Sequence, residues 1–544
     1  MFSRLLPCVA LLGLVALPGA ARPADDKKPA TPGAVLRVQS LDELMSNFRY
    51  LATLAGREEE AKQLEGILKE KAGGPKGLEG IDAKRPAGLY AVFGDGGPAD
   101  IAAIGLIPVA DEKAFLGLIE NLGYKATKDK DDVYLVSGEN LNVPVYFRFV
   151  HKHAYVTALN RDTLLDKDKI LTPDKVLPAR QSEVLSVMVR IDQVPKNLRD
   201  IAISQVEQQL DDAKKEQKPD ESPAERAARL ELTELIKKHV VSVIRDGREL
   251  ALRFDVDQKG QELSAELGLG GQKDSPLAKY ISGLGQQKSV VAGLVGPDTV
   301  MNVLLDLPNE PKLAEAMQAL LKEGIEKDIA KQADPQKKAQ TEKLFKAFGP
   351  AIKFTDLDWA FDFRGPHRDG LYTLVAGMKV ADGGVLDRAV RDAVKEMPQA
   401  DRDRIKLDVE KAGDLAIHRI DVKGAADEGF RKSFGDGPAY FAVRSDAAFL
   451  AAGHDALNAL KGALKVAPTV GKPVQFEVSV ARVAEAMAQE KPEAPKAAAQ
   501  AFGQDKGADK VRFTLEAGQE LKLRLVVKAP VLKFFHLMEP GAQK

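Results

Sequence analysis

Two stretches far apart in the chain read alike. Ile107-Pro108-Val109-Ala110-Asp111 closes a strand pattern and opens a helix pattern, and Pro144-Val145-Tyr146-Phe147 then leads into a hairpin. In the second half Met378-Lys379-Val380-Ala381-Asp382 and Pro438-Ala439-Tyr440-Phe441 stand in the same order. A pattern that returns in order restricts the fold more than any lone motif, because each copy must bury its own hydrophobic face. Further blocks keep step. Residues 185–191 (LSVMVRI) read like 474–480 (VQFEVSV), each before a helix pattern. Phe254 with Gly260-Gln261-Glu262-Leu263 reads like Phe513 with Gly518-Gln519-Glu520-Leu521. Pro276-Leu277-Ala278-Lys279 and Pro530-Val531-Leu532-Lys533 close the two series.

The local patterns predict an α+β fold: two tandem, diverged copies of a mostly antiparallel sheet, with helices packed mainly on one face. The first copy is predicted over 35–275 and the second over 288–540, a division that suits a chain of 544 residues, too long for one hydrophobic core. Residues 88–93 and 101–107 are predicted strands around the turn cluster Gly94-Asp95-Gly96-Gly97-Pro98. Asp111 is placed to cap the next helix, where Phe115, Leu118, Ile119 and Leu122 fall at helical spacing. Ser222, Pro223 and Glu225 make a capping box for a second helix. Leu313, Met317, Leu320 and Leu321 mark an amphipathic helix, and another is predicted over about 335–348. Leu357, Trp359, Phe361 and Phe363 alternate with polar residues, the mark of a half-buried strand.

Residues 1–21 read as a secretory signal, with Arg4 as the positive start, an apolar run over 5–20 and small residues at Gly19-Ala20-Ala21. Residues 22–34 read as a polar, proline-bearing leader. The chain is therefore expected to be exported, to the periplasm or beyond, without a transmembrane segment in its mature form. The single cysteine, Cys8, lies inside the signal and too near its start for lipid attachment. The mature chain is then cysteine-free, which leaves out thiol catalysis, thiolate metal sites and disulfides. A formal net charge of -1 gives no bulk electrostatic reason to expect nucleic acid as a partner.

Candidate chemistry is sparse. His151 and His153 are two apart, so on a strand they would share a side and could share a metal; their place at a hairpin turn favours an exposed polar turn instead. Asp356, Asp358 and Asp362 share one face of the Trp359 strand and could hold a cation or act as an acid/base pair, but an alternating polar face is normally solvated. Asp129, Asp131 and Asp132, and separately Asp162, Asp166 and Asp168, lack the glycine and glutamate positions of a calcium loop. The Gly94 cluster precedes a strand, so it is no phosphate loop. No catalytic, metal-binding or cofactor-binding residue is assigned, and no cofactor is expected.

With its export signal and a strand ending in Pro-Val-Ala-Asp before a helix, the chain resembles exported bacterial two-repeat α+β proteins of unknown function. That resemblance implies no activity. Three readings stay open: a non-enzymatic exported protein with a binding or structural role, whose partner is an unknown protein or small molecule; a carrier with an apolar cavity between sheet and helices; and a hydrolase whose site has no recognisable motif. A continuous apolar cavity would favour the second, and convergent buried ionisable groups in a cleft the third.

Overall fold

The computed structural model describes residues 31–539, apart from 73–77, 95–99, 179–182, 424–427, most of 332–353 and the single positions 140, 217, 298, 489 and 506. The expected signal, most of the leader, residues 95–98 of the glycine turn and nearly all of the helix expected over 335–348 lie outside the described residues. The chain divides into two compact units. One comprises Met1–Gln208, Val240–Ala278 and Val526–Lys544, the other Gln209–His239 and Lys279–Leu525.

The strands of the first unit are β1 (Ala34–Val38), β2 (Ala87–Phe93), β3 (Ile101–Pro108), β4 (Lys125–Lys128), β5 (Tyr134–Ser137), β6 (Val145–Val150), β7 (His153–Ala158), β8 (Leu185–Val189), β9 (Gly247–Asp257) and β10 (Glu262–Gly271). They pair antiparallel in the spatial order β4-β5-β6-β7-β3-β2-β1-β8-β9-β10. Helix α1 (Glu112–Asn121) starts where expected, because Oδ1 of Asp111 accepts the Ala114 N–H at 2.7 Å and so satisfies an otherwise unpaired first-turn amide. At Pro223–Asp246 (α2) the capping box is reciprocal: Ser222 Oγ accepts from Glu225 N at 3.1 Å, and Glu225 Oε2 from Ser222 N at 2.9 Å.

The second unit contains β11 (Met301–Pro308), β12 (Asp356–Arg364), β13 (Thr373–Lys379), β14 (Ile405–Ala412), β15 (Leu415–Ile420), β16 (Ala439–Val443), β17 (Ala447–Gly453), β18 (Val474–Ser479) and β19 (Lys510–Glu516). These also pair antiparallel, in the order β14-β15-β16-β17-β13-β12-β11-β18-β19. From β4 to β9 in the first unit and from β14 to β19 in the second, the two successions coincide strand for strand. Helix α3 (Gly383–Glu396) follows β13 as α1 follows β3, with Asp382 Oδ1 accepting the Val385 N–H at 2.9 Å.

Registers coincide as well. Phe147 on β6 faces Val156 on β7 and Tyr134 on β5. Phe441 on β16 faces Leu450 on β17 and His418 on β15. Residue 185 of β8 faces Val38, as residue 474 of β18 faces Leu305. One sequence match is two residues out: Phe513 lies opposite Phe476, a place that Leu252 takes opposite Val187, whereas Phe254 lies opposite Leu185. An even slip keeps a side chain on its own face, so the pattern alone cannot detect it.

In the second unit both sheet faces are covered. On one, Leu304, Ala360, Val375, Phe449 and Ala451 pack with Leu460 of α4 (Ala456–Leu464) and with the 290–294 segment. On the other, Leu386, Val390 and Val394 of α3 meet Met378, Ile405, Phe441, Val443 and Ala448. Strand alternation therefore sends Trp359 and Phe361 to the α3 side and Asp358, Ala360 and Asp362 to the α4 side.

Candidate functional site

The α3 face is not filled. Between it and the sheet runs a cavity of about 1040 Å³. Trp359 and Phe361 form its floor on β12, Phe441 on β16 and Leu450 on β17, and the α3 stripe of Leu386, Val390 and Val394 forms its roof. The stripe exists because apolar residues recur at positions i, i+4 and i+8, while Asp387, Arg391 and Lys395 fall on other sides of the helix. Asp356, Asp358 and Lys379 border the cavity, and the remaining lining is almost wholly apolar. Trp359 is the chain's only tryptophan.

A polar network ties the roof to the sheet beside the cavity. The fully buried His418 ring accepts the Asp408 backbone N–H on Nδ1 at 3.1 Å, which places its proton on Nε2, 3.2 Å from Oδ1 of Asp387 on α3. Arg391, one turn along α3, donates through Nε to Asp387 at 2.7 Å and through both terminal nitrogens to the Asp408 carboxylate at 2.7 and 2.8 Å. Asp408 has φ 55° and lies where the β14–β15 register shifts, so a bulge aims it at the helix.

The corresponding space in the first unit is occupied by four rings. Tyr134 stacks on Phe147 at 4.8 Å with planes 5° apart. Phe149 meets Phe147 edge-on at 5.3 Å, and Phe115 of α1 meets Phe147 and Phe149 edge-on at 5.8 and 5.7 Å. Such a cluster gains from ring geometry as well as from burial.

The carboxylates singled out from the sequence are placed differently from the expectation. Asp358 and Asp362 are 3% and 0% exposed, so that face of β12 is not solvated. The cause is the second layer formed by α4 and the 290–294 segment, which a strand pattern does not reveal. Asp358 accepts from the Ser289 hydroxyl at 2.6 Å and from the Val290 N–H at 2.7 Å, yet burial still holds its carboxyl above the usual range. Opposite it on β11, the buried Asp306 is pushed up to about 7 by burial and then by the carboxylates of Asp358 and Asp356. Lys379 pairs with Asp356, and Arg364 Nε donates to Asp362 at 2.6 Å. Ser289 and Asp306 are buried on the side away from α3 and do not line that cavity.

The histidine pair separates. His151 and Lys152, both at positive φ, form the two-residue turn between β6 and β7, as hairpin twist requires. His153 is buried, contrary to an exposed turn over all three residues, and burial lowers its pKa. Asp129 accepts from the N–H groups of Asp131 and Val133, and Arg161 pairs with both Asp129 and Asp131. Asp166 accepts the Asp168 N–H at 3.0 Å. These are loop-shaping contacts. Among the described residues, no group of three or more His, Cys, Asp or Glu could hold a metal ion, and no helix is long and apolar enough to cross a membrane.

Comparison with known proteins adds little. No family model matches the chain, and no curated protein does. A solved structure described as "Structure of crystal form IV of TP0453" aligns with 47% of this chain and 83% of its own, at 10% identity and a TM-score of 0.22. That likeness carries no functional argument. The cavity carries it instead, together with His418 and Trp359, to which the sequence motifs gave no functional role.

Proposed function

We propose that the chain is an exported, non-enzymatic carrier that holds an apolar, lipid-like ligand between the sheet and α3 of its second unit. The observation behind this reading is the cavity: at about 1040 Å³ it stands at the top of the roughly 300–1,000 Å³ range of small-molecule sites. The space is partly open to solvent, yet its lining is almost wholly apolar, and an apolar surface left in contact with water suits an occupant of hydrocarbon character. Export is supported by the apolar run after Arg4. The hydrolase reading has less support, because Asp306, Asp362 and Ser289 are buried on the other side of the sheet, while Asp356 and Asp358 at the cavity border are held by Lys379 and by Ser289 with the Val290 N–H. The broader surface-binding reading has no comparable feature.

The test uses the full chain and the neutral fluorophore N-phenyl-1-naphthylamine. Trp359 is the sole tryptophan and lines the cavity, so saturable energy transfer from it to the probe is expected. Trp359→Phe should remove the transfer while leaving the probe's own emission increase. If the folded chain shows no saturable signal of either kind, the carrier reading is wrong.

A further inference from the structure

The same strand succession and cross-strand register place the two sheet–helix spaces in correspondence, residue by residue. Phe115 and Leu386 each stand four residues after their capping aspartates, Asp111 and Asp382. Phe147 and Phe441 occupy the same ladder position, and their partners on the neighbouring strand are Tyr134 and His418. Two residues on, Phe149 faces Ala154 where Val443 faces Ala448. Three ring-bearing positions in the first unit are thus Leu386, His418 and Val443 in the second, and only the Phe147–Phe441 position keeps its phenyl ring.

Resting on the carrier reading, we infer that the two units descend from one duplicated binding fold, and that in the first unit the part of the site beneath the helix is filled by its own rings, at the positions that Leu386, His418 and Val443 hold in the second. The ring of Phe115 enters from the helix and that of Phe149 from the sheet, and with Tyr134 they stack around Phe147 at 4.8 to 5.8 Å. In the second unit, the shorter Leu386 and Val443 line the cavity. His418, the third altered position, turns its nitrogens to Asp387 and Asp408. One chain therefore takes one apolar ligand, of the class that fits the second unit, and none in the first.

The experiment is a probe titration with reciprocal variants of the full chain. The wild type should bind a single equivalent of N-phenyl-1-naphthylamine. Leu386→Phe with Val443→Phe copies a packing that the first unit already achieves, so the variant should fold and bind at least about tenfold more weakly, since added ring volume displaces the ligand. Phe115→Ala, Tyr134→Ala and Phe149→Ala together remove three rings, about the size of the three-ring probe, and should add a second equivalent, because apolar space freed in a core accepts apolar guests that fit it. If that variant fails to fold, the other two measurements still decide. Two equivalents in the wild type, undiminished binding by the filled variant, or a folded opened variant with one equivalent would each overturn the inference. Failure of the wild type to bind any probe would instead overturn the carrier reading on which it rests.

Discussion

His418 donates through Nε2 to Oδ1 of Asp387 at 3.2 Å, joining β15 to the helix that roofs the cavity. Its other nitrogen takes the Asp408 N–H, so one ring satisfies partners on both sides. His418→Phe would keep the contact with Phe441, now 4.8 Å between centroids, and leave the Asp408 amide and the Asp387 carboxylate each short of a partner. The expected loss is about 0.5–1.5 kcal/mol, the usual net worth of a hydrogen bond, because Asp387 keeps Arg391 and Asp408 is open to water. Urea unfolding should show it as a lower midpoint with an unchanged slope. Stopped-flow displacement of bound probe should also show faster release, because α3 is held less firmly. Unchanged stability and unchanged release would mean that the network does not hold the roof.

Asp306 gives the second unit a pH dependence of definite sign. Its carboxyl is pushed up to about 7 in the folded chain from an ordinary value of 3.8. Between those values the folded chain binds more protons than the unfolded one. The contribution is thus full below 3.8 and is lost as pH rises through about 7, with a slope of at most about 1.4 kcal/mol per pH unit. Asp306→Asn mimics the protonated form and removes the titration. The variant should gain stability relative to wild type as pH rises from 5 to 8, on the order of 1 kcal/mol or more. Parallel denaturation profiles of the two proteins across that range would show that Asp306 does not titrate there.

The sequence carried the scaffold further than the site, for reasons visible in particular residues. Asp111 and Asp382 are legible as caps because a carboxylate just before an apolar stripe has a local job. The alternation of Leu357, Trp359, Phe361 and Phe363 is legible because a strand has period two. The stripe Leu386, Val390, Val394 reads the same whether it covers a filled core or a hollow one. The smaller side chains at 386, 418 and 443 widen one part of the space, at positions brought together only by pairing across β15, β16 and α3. The burial of Asp358 and Asp362 was hidden likewise, since a strand pattern shows one apolar face and is silent on whether α4 covers the other.

Gly383 begins α3 against the turn at Arg444–Ser445, and its N–H donates to the Ser445 carbonyl at 2.9 Å. A Cβ there would stand 1.9 Å from the Arg444 carbonyl oxygen, a backbone atom that cannot swing aside. Gly383→Ala should therefore cost about 1–3 kcal/mol and displace the start of the helix. Gly117 is the contrast: it lies within α1 with nothing within 4 Å of an added Cβ, so Gly117→Ala should stabilise by up to about 1 kcal/mol through helix propensity. Thermal or urea unfolding of both variants checks the opposite signs. Equal effects would mean that the close approach at Gly383 is readily relieved.

The hydrocarbon character of the site predicts how affinity should change along a homologous series. Straight-chain alcohols share one small uncharged head, so differences among them report the chain alone. Each methylene drawn from water into the space beneath α3 should contribute about 0.8 kcal/mol, or about fourfold in affinity. The rise should stop once the chain outgrows the cavity, and further methylenes should then add nothing. Phe441 and Leu450 lie on the floor away from the Asp356–Lys379 border, so a shorter side chain at either position should move the plateau to longer alcohols. Competition against the naphthylamine probe, read through Trp359, measures the whole series on one scale. A flat response from short to long alcohols would place the hydrocarbon outside the cavity, whatever else the protein binds.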